Sequence, residues 1–263
     1  MSQQPGGSNR GIFPPQGAQA APGSVPMRAE CDAIIRVVVF DMDGVLLNSE
    51  GAWLQARRDY ARSLGRVWTD ADHAASMGGN LAGGSRLMVE RLGLDRTPDQ
   101  VAHDMLARMQ APYAQQLPAC PGAVEAVRRM AAAYRLGLAT GSPRALAEPA
   151  LRRLGLHDSF SVRVYGDMVV RGKPAPDIYR MALDRLGVKA AHAVGVEDSA
   201  NGLRALHAAG LGRIAVLDPA FPPEPGALAL AAVRLDHLDQ LDVRAVQAAG
   251  RARADAVLPP EPL

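Results

Sequence analysis

Lysine is almost missing from this 263-residue chain: only two of its 29 basic side chains, Lys173 and Lys189, are lysine, so a lysine that falls within a motif is informative. Cysteine is equally scarce. Cys31 and Cys120 are too few for a disulfide framework and lack metal-ligand spacing, which suits a reducing compartment and makes the cytoplasm the expected location. No apolar run approaches the roughly 20 residues of a membrane-spanning helix, and the N-terminus lacks a charged start followed by an apolar secretory core. Charge of one sign is not in excess either. The 29 basic and 27 acidic side chains are interspersed and leave a net charge of +2, so no footprint for nucleic acid or a membrane surface is expected.

What is present is a hydrophobic fraction of 48%, enough for one substantial core, or a core with a smaller satellite domain. Residues 1–32 are expected to be a disordered tail, because Gly, Pro, Gln, Ser and Ala bury too little surface to offset chain entropy. Within them Met27 is a candidate initiator. From Ile34 the character changes. The run to Phe40 is β-branched and short, as a strand buried on both faces would be. Similar runs recur at Leu136 to Ala139, Ser161 to Tyr165, Ala191 to Val196 and Ile214 to Leu217, separated by helical patterns at Pro143 to Leu156, Pro176 to Leu186 and Ala200 to Ala209. This alternation predicts βαβ units and an open parallel sheet over 33–50 and 118–250. The interval 51–117 has helical periodicity only and reads as an inserted helical domain, with helix starts at Thr69 and at Thr97-Pro98. Residues 251–263 are expected to be a flexible C-terminus.

At the end of the first strand stands Asp41-Met42-Asp43-Gly44-Val45, which puts two carboxylates where open α/β sheets place their ligands. A calcium loop would need further acidic positions, and Leu46-Leu47 occupy that region instead. Leu136 to Thr140 forms a second apolar strand ending in a hydroxyl, followed by Gly141 and by Ser142, read as a helix cap. Lys173 precedes a helix in Gly172-Lys173-Pro174. Glu197 and Asp198 close the strand Ala191 to Val196.

These four motifs, in this order, resemble the haloacid dehalogenase-like superfamily, over Ile34 to about Leu241. Val37 to Glu50, VVVFDMDGVLLNSE, matches its first motif closely, with Asn48 where members usually carry Asp. The resemblance implies a Rossmann-like α/β core with an inserted α-helical type 1 cap, and a Mg²⁺-dependent phosphatase acting on a small phosphorylated metabolite, such as a sugar phosphate, as a monomer or small homo-oligomer. It further implies that Asp41 is the nucleophile that becomes an aspartyl-phosphate and that Asp43 is the acid and base. Thr140, Gly141 and Lys173 would bind the phosphoryl group, and Mg²⁺ would be held by Asp41, the Asp43 carbonyl, Glu197 and Asp198. In the cap, Gly78, Gly79 and Asn80 form a candidate loop reaching the site, and Arg86 a candidate substrate contact. Dehalogenases lack the second aspartate and the metal site. Phosphonoacetaldehyde hydrolases need a cap lysine, yet none lies between Asp41 and Thr140. A sugar phosphomutase of the β-phosphoglucomutase type is the first alternative, although mutases carry histidine twelve residues after the nucleophile and this chain has Trp53. A non-catalytic phosphometabolite-binding module is the second. The six histidines show no ligand spacing and read as surface or packing residues.

Overall fold

A computed structural model of the chain describes residues 34–255; the expected tail, Met27, Cys31 and residues 256–263 lie outside the described residues. In chain order the elements are β1 Val37–Phe40, α1 Glu50–Ser63, α2 Asp70–Ser76, α3 Leu81–Leu92, α4 Pro98–Ala111, a π-helical turn Pro112–Gln116, and α5 Ala123–Ala131. Then follow β2 Arg135–Ala139, α6 Arg144–Arg153, β3 Val162–Val164, α7 Asp177–Leu186, β4 Ala193–Glu197, α8 Ala200–Ala209, β5 Gly212–Val216, α9 Pro225–Leu228, β6 Val233–Leu235 and α10 Val243–Asp255. The strands pair in parallel in the order β3-β2-β1-β4-β5-β6. Successive connections therefore leave β1 in opposite directions, and a crevice opens at the carboxyl ends of β1, β2 and β4.

The β-branched run forms a central strand because both of its faces are covered. Val38 and Phe40 join the larger apolar cluster on one side of the sheet, while Val37 and Val39 join the cluster built around α7 and α8 on the other. Helix starts fall where the caps are. Thr69 and Thr97 each accept from the third residue of their helix, and Asp72 and Gln100 reciprocate in complete capping boxes.

Two elements differ from the sequence expectation. Strand β6 is three residues long, and its Val-Arg-Leu carries no run or alternation long enough to be recognised. Helix α10 continues through Asp255, five residues into the stretch expected to be flexible, and buries Val246 and Ala249 against the sheet. Among the described residues no helix is long and apolar enough to cross a membrane.

Candidate active site

Asp41 follows β1 directly, and its backbone N–H extends the β1–β4 ladder by donating to the Val196 carbonyl at 3.0 Å. The chain then turns sharply through Gly44 at φ +76°, where a Cβ would stand 1.9 Å from Asp198 Oδ2. Only glycine satisfies both conditions, and it lets Asp198, just beyond β4, pack against the turn that carries Asp41 and Asp43. Ligand atoms of Asp41, Glu197 and Asp198 all lie within 4.8 Å of one another, and all three side chains are buried.

Lys173 neutralises part of this charge. Its Nζ is fully buried, 2.8 Å from Asp41 Oδ1 and 2.6 Å from Glu197 Oε1, and lies 5.1 Å from the centre of the Tyr179 ring. Burial alone would lower the lysine pKa, but Asp41 and Glu197 outweigh it and raise it, so the ammonium stays charged. One cation among three carboxylates is not enough. Burial pushes Asp41 well above the usual carboxylate range, with Lys173 pulling it back and Glu197 and Asp43 pushing it further. Burial, then Glu197 and Asp41, do the same to Asp198.

The donor set fits a hard divalent cation. Asp198 Oδ1 is a buried oxygen without a hydrogen-bond donor and Asp41 Oδ1 has only the Lys173 ammonium that it shares with Glu197, a shortfall that a metal ion would relieve. Glu197 belongs to the cluster by distance but is already committed. Its Oε1 accepts from Lys173 and Tyr179 at 2.6 Å each, and its Oε2 accepts from the Asp198 and Ser199 amides and the Ser199 hydroxyl. Its place in the site is to hold Lys173 and the entrance of α8, which leaves Asp41 and Asp198 as the carboxylates open to a cation.

Asp43 is surrounded by hydroxyls. Its Oδ1 accepts from Ser49 at 2.7 Å and from Tyr113, and its Oδ2 accepts from Ser142 at 2.8 Å and Thr140 at 3.1 Å. Trp53 Nε1 donates to the Tyr113 oxygen at 2.7 Å, which leaves the single phenolic proton for Asp43. Tyr113 comes from the π-helical turn and Trp53 from α1, so helices of the β1–β2 insertion help to hold a side chain that the sheet presents.

The loop between α2 and α3 closes over this end of the sheet. Asn201 of α8 donates to the Ala75 and Met77 carbonyls at 3.1 and 2.8 Å. Gly141 sits so close to the loop that a Cβ there would be 2.1 Å from the Gly79 carbonyl oxygen. The cavity lined by Asp41, Asp43, Gly79, Gly141 and Ser142 is narrow, with room inside for the centres of only a few water molecules.

A sequence profile of the haloacid dehalogenase-like hydrolases matches residues 35–210. The phosphorylated carbohydrates phosphatase of Thermotoga maritima is 35% identical over 181 residues, covering 68% of this chain and 84% of that protein. This chain belongs to the haloacid dehalogenase-like hydrolases. Hexitol phosphatase B of Escherichia coli is 33% identical over 218 residues, 80% of this chain and 96% of that protein. Among solved structures, CbbY from Rhodobacter sphaeroides in complex with phosphate is 28% identical with a TM-score of 0.68, over 81% of this chain and 99% of that one. The hydrolase is thus an enzyme of phosphoric monoesters, on a Rossmann-like parallel core.

Within this hydrolase the motif residues Asp41, Asp43, Thr140, Gly141, Lys173, Glu197 and Asp198 come together at the carboxyl ends of β1, β2 and β4, or in Lys173's case on the loop before α7. Gly78, Gly79 and Asn80 line the cavity. The Asn80 side chain is, however, tied at both ends, accepting from Gly83 N at 2.9 Å as the α3 cap and donating to the Gly166 carbonyl at 3.1 Å. Arg86 is not in the cavity. The α3 stripe that faces it is Leu81, Gly84, Ser85 and Met88, and Arg86 falls off that helical period into a neighbouring groove beside Val170 and Arg171. Ser142 is not a helix cap either. Pro143 takes the N-cap position of α6, and the Ser142 hydroxyl goes to Asp43.

Sequence reasoning missed Glu50, Arg57 and Tyr113. Glu50 and Arg57 line the cavity, and they are bridged by His73, which is 2% exposed rather than an ordinary packing residue. Burial, then Arg57 and Arg58, push the His73 ring down to about 3, so it is neutral. Burial pushes Glu50 up from 4.5 to about 7. Because that folded-state value is raised, its stabilisation is complete below about pH 4.5 and is lost as pH rises through about 7. The cost is on the order of 3 kcal/mol. In metal-free protein the melting temperature of Glu50→Gln minus that of wild type is expected to grow by about 5–10 °C between pH 5 and pH 8. A difference that stays constant across that range would show that Glu50 is ionised without cost.

Proposed function

We propose that this hydrolase is a Mg²⁺-dependent phosphatase of small phosphorylated metabolites, sugar phosphates or similar monoesters, working through an aspartyl-phosphate on Asp41. The observation that carries this reading is the convergence of Asp41, Lys173 and Asp198 beside the hydroxyl-ringed Asp43. The names of the relatives, a phosphorylated carbohydrates phosphatase and a hexitol phosphatase, support the sugar phosphate.

An Asp41 oxygen attacks phosphorus as the bond from phosphorus to the leaving oxygen breaks. Lys173, which already faces Asp41, and the Thr140 and Gly141 corner hold the non-bridging oxygens. Asp43 supplies the proton that the departing alcohol needs, exchanging part of its hydroxyl surround for the leaving oxygen. It then takes a proton from the water that attacks the acyl phosphate, which restores Asp41 and releases phosphate. Asp41, the Asp43 carbonyl and Asp198 would hold Mg²⁺, which when bound offsets the repulsion between the phosphate dianion and the Asp41 carboxylate. Glu197 acts through Lys173.

Trp53 weighs against the mutase alternative. Its indole has a donor but no acceptor, that donor is given to Tyr113, and it cannot shuttle a proton as an imidazole does.

Phosphate release from a panel of phosphomonoesters tests the proposal. Release is expected to fall by at least about 10²-fold after chelation and to return with Mg²⁺. Release unchanged by chelation removes the metal from the reading, and isomer exchange without release replaces the phosphatase with a mutase.

A further inference from the structure

The cavity wall away from the phosphoryl-transfer residues carries charge that the chemistry just described does not use. Glu50 opens α1 and Arg57 lies seven residues on, two turns along the same helix face. Arg57 Nη1 is 3.1 Å from His73 Nδ1. A guanidinium can only donate, so His73 Nδ1 accepts and the ring hydrogen sits on Nε2, which faces Glu50 Oε2 at 3.5 Å. The imidazole thus separates a cation from an anion and spaces them along the wall. The Arg57 guanidinium also stacks on the Trp53 ring, 4.9 Å from its centre.

Glu50 Oε2 and His73 Nε2, both buried, have only each other, at 3.5 Å, too long for a good hydrogen bond. A carboxylate oxygen so weakly paired on a cavity wall gains when a ligand brings a closer donor to it. Arg57 offers several donors in a fixed fork, and Glu50 in its ionised form offers acceptors only. Charge balance narrows the ligand further. Once Glu50 is ionised it cancels Arg57, His73 is neutral, Arg58 is paired with Asp70 at 2.5 Å, and Asp218 adds negative charge on the Glu50 side. A second phosphate dianion would find one cation and two anions there. Hydroxyl groups, each both donor and acceptor, match a wall that offers both.

We infer that Glu50 and Arg57 are the specificity residues of this enzyme, gripping the hydroxyls of an uncharged sugar or polyol chain that bears a single phosphate and disfavouring bisphosphates. The inference rests on the phosphatase reading and names its substrate class.

The test measures kcat/KM with Mg²⁺ for fructose 1-phosphate, fructose 1,6-bisphosphate and p-nitrophenyl phosphate, in wild type, Arg57→Met and Glu50→Gln. Wild type is expected to favour the monophosphate over the bisphosphate by about tenfold or more. In Arg57→Met the ratio of fructose 1-phosphate to p-nitrophenyl phosphate efficiency is expected to drop about tenfold, a change that loss of folded protein cannot produce because both substrates share one enzyme sample. In Glu50→Gln, which keeps an acceptor and loses the charge, the gap between mono- and bisphosphate is expected to close. Turnover of all three esters with ratios that neither variant moves, or a wild-type preference for the bisphosphate, overturns this inference and leaves the phosphatase standing. No turnover of any ester overturns both.

Discussion

Replacing Asp41 by asparagine is expected to lower phosphate release by at least about 10⁴-fold while leaving the metal-free protein no less heat-stable than wild type. The activity loss follows from chemistry, because a carboxamide is nearly isosteric with the carboxylate but is a far weaker nucleophile. The stability follows from the crowding of charge. Asp41 shares a buried space with Glu197, Asp198 and Asp43, and its carboxyl is pushed up by burial before any neighbour acts. An uncharged amide removes one member of that repulsive group, while Lys173 keeps Glu197 at 2.6 Å. Turnover of the best ester from the panel and thermal melts in chelator, run on the same preparation, separate the two effects. Residual turnover above roughly one part in a hundred would place the nucleophile elsewhere. A melting temperature lower by many degrees would mean that Asp41 is structurally required by Lys173, and that the activity loss has a second cause.

The strand-end cluster of carboxylates was legible in the sequence because it is local. Asp41 and Asp43 sit two residues apart at the end of an unmistakable buried strand, and Glu197 and Asp198 are adjacent at the end of another. The capping boxes at Thr69 and Thr97 could be read for the same reason, since each is a four-residue pattern. Residues whose role depends on approach across the fold could not. Tyr113 reaches Asp43 across 70 positions and Ser142 across 99, so nothing near either residue announces the contact. Ser142 in front of a helix looked like a cap because a hydroxyl there has a local use. The use it has instead appears only once β1 and β2 stand side by side. Arg86 lies outside the cavity for the opposite reason: its charge and place in the inserted domain drew attention, while the helical period that turns it from the cavity needs the exact start of α3 at Leu81. Arg57, the eighth residue of a charged helix, carries the same kind of side chain as its neighbour Arg58 and is told apart only by what it packs against. The short β6 was illegible because three residues cannot show a period.

Lys173→Met is expected to destabilise the metal-free protein by about 3–5 kcal/mol, the cost of stripping one partner from a buried ion pair. For a domain of this size that corresponds to a melting temperature lower by roughly 6–20 °C. The side chain is fully buried and spans Asp41 and Glu197, so methionine would fill the space and leave the carboxylates without their cation. Glu197 is the one that suffers most. Its Oε1 would keep only the Tyr179 hydroxyl, and Asp41 would lose the neighbour that pulls its carboxyl down. The double variant Lys173→Met, Glu197→Gln tests the cause. An amide can accept from Tyr179 without carrying charge, so adding it should recover on the order of 1–3 kcal/mol, a coupling that distant, independent sites do not show. If the single variant melts within a degree or two of wild type, or the second substitution adds its own cost instead of relieving the first, then Lys173 does not balance the cluster. The charge on the three carboxylates would then have to be met by partial protonation alone.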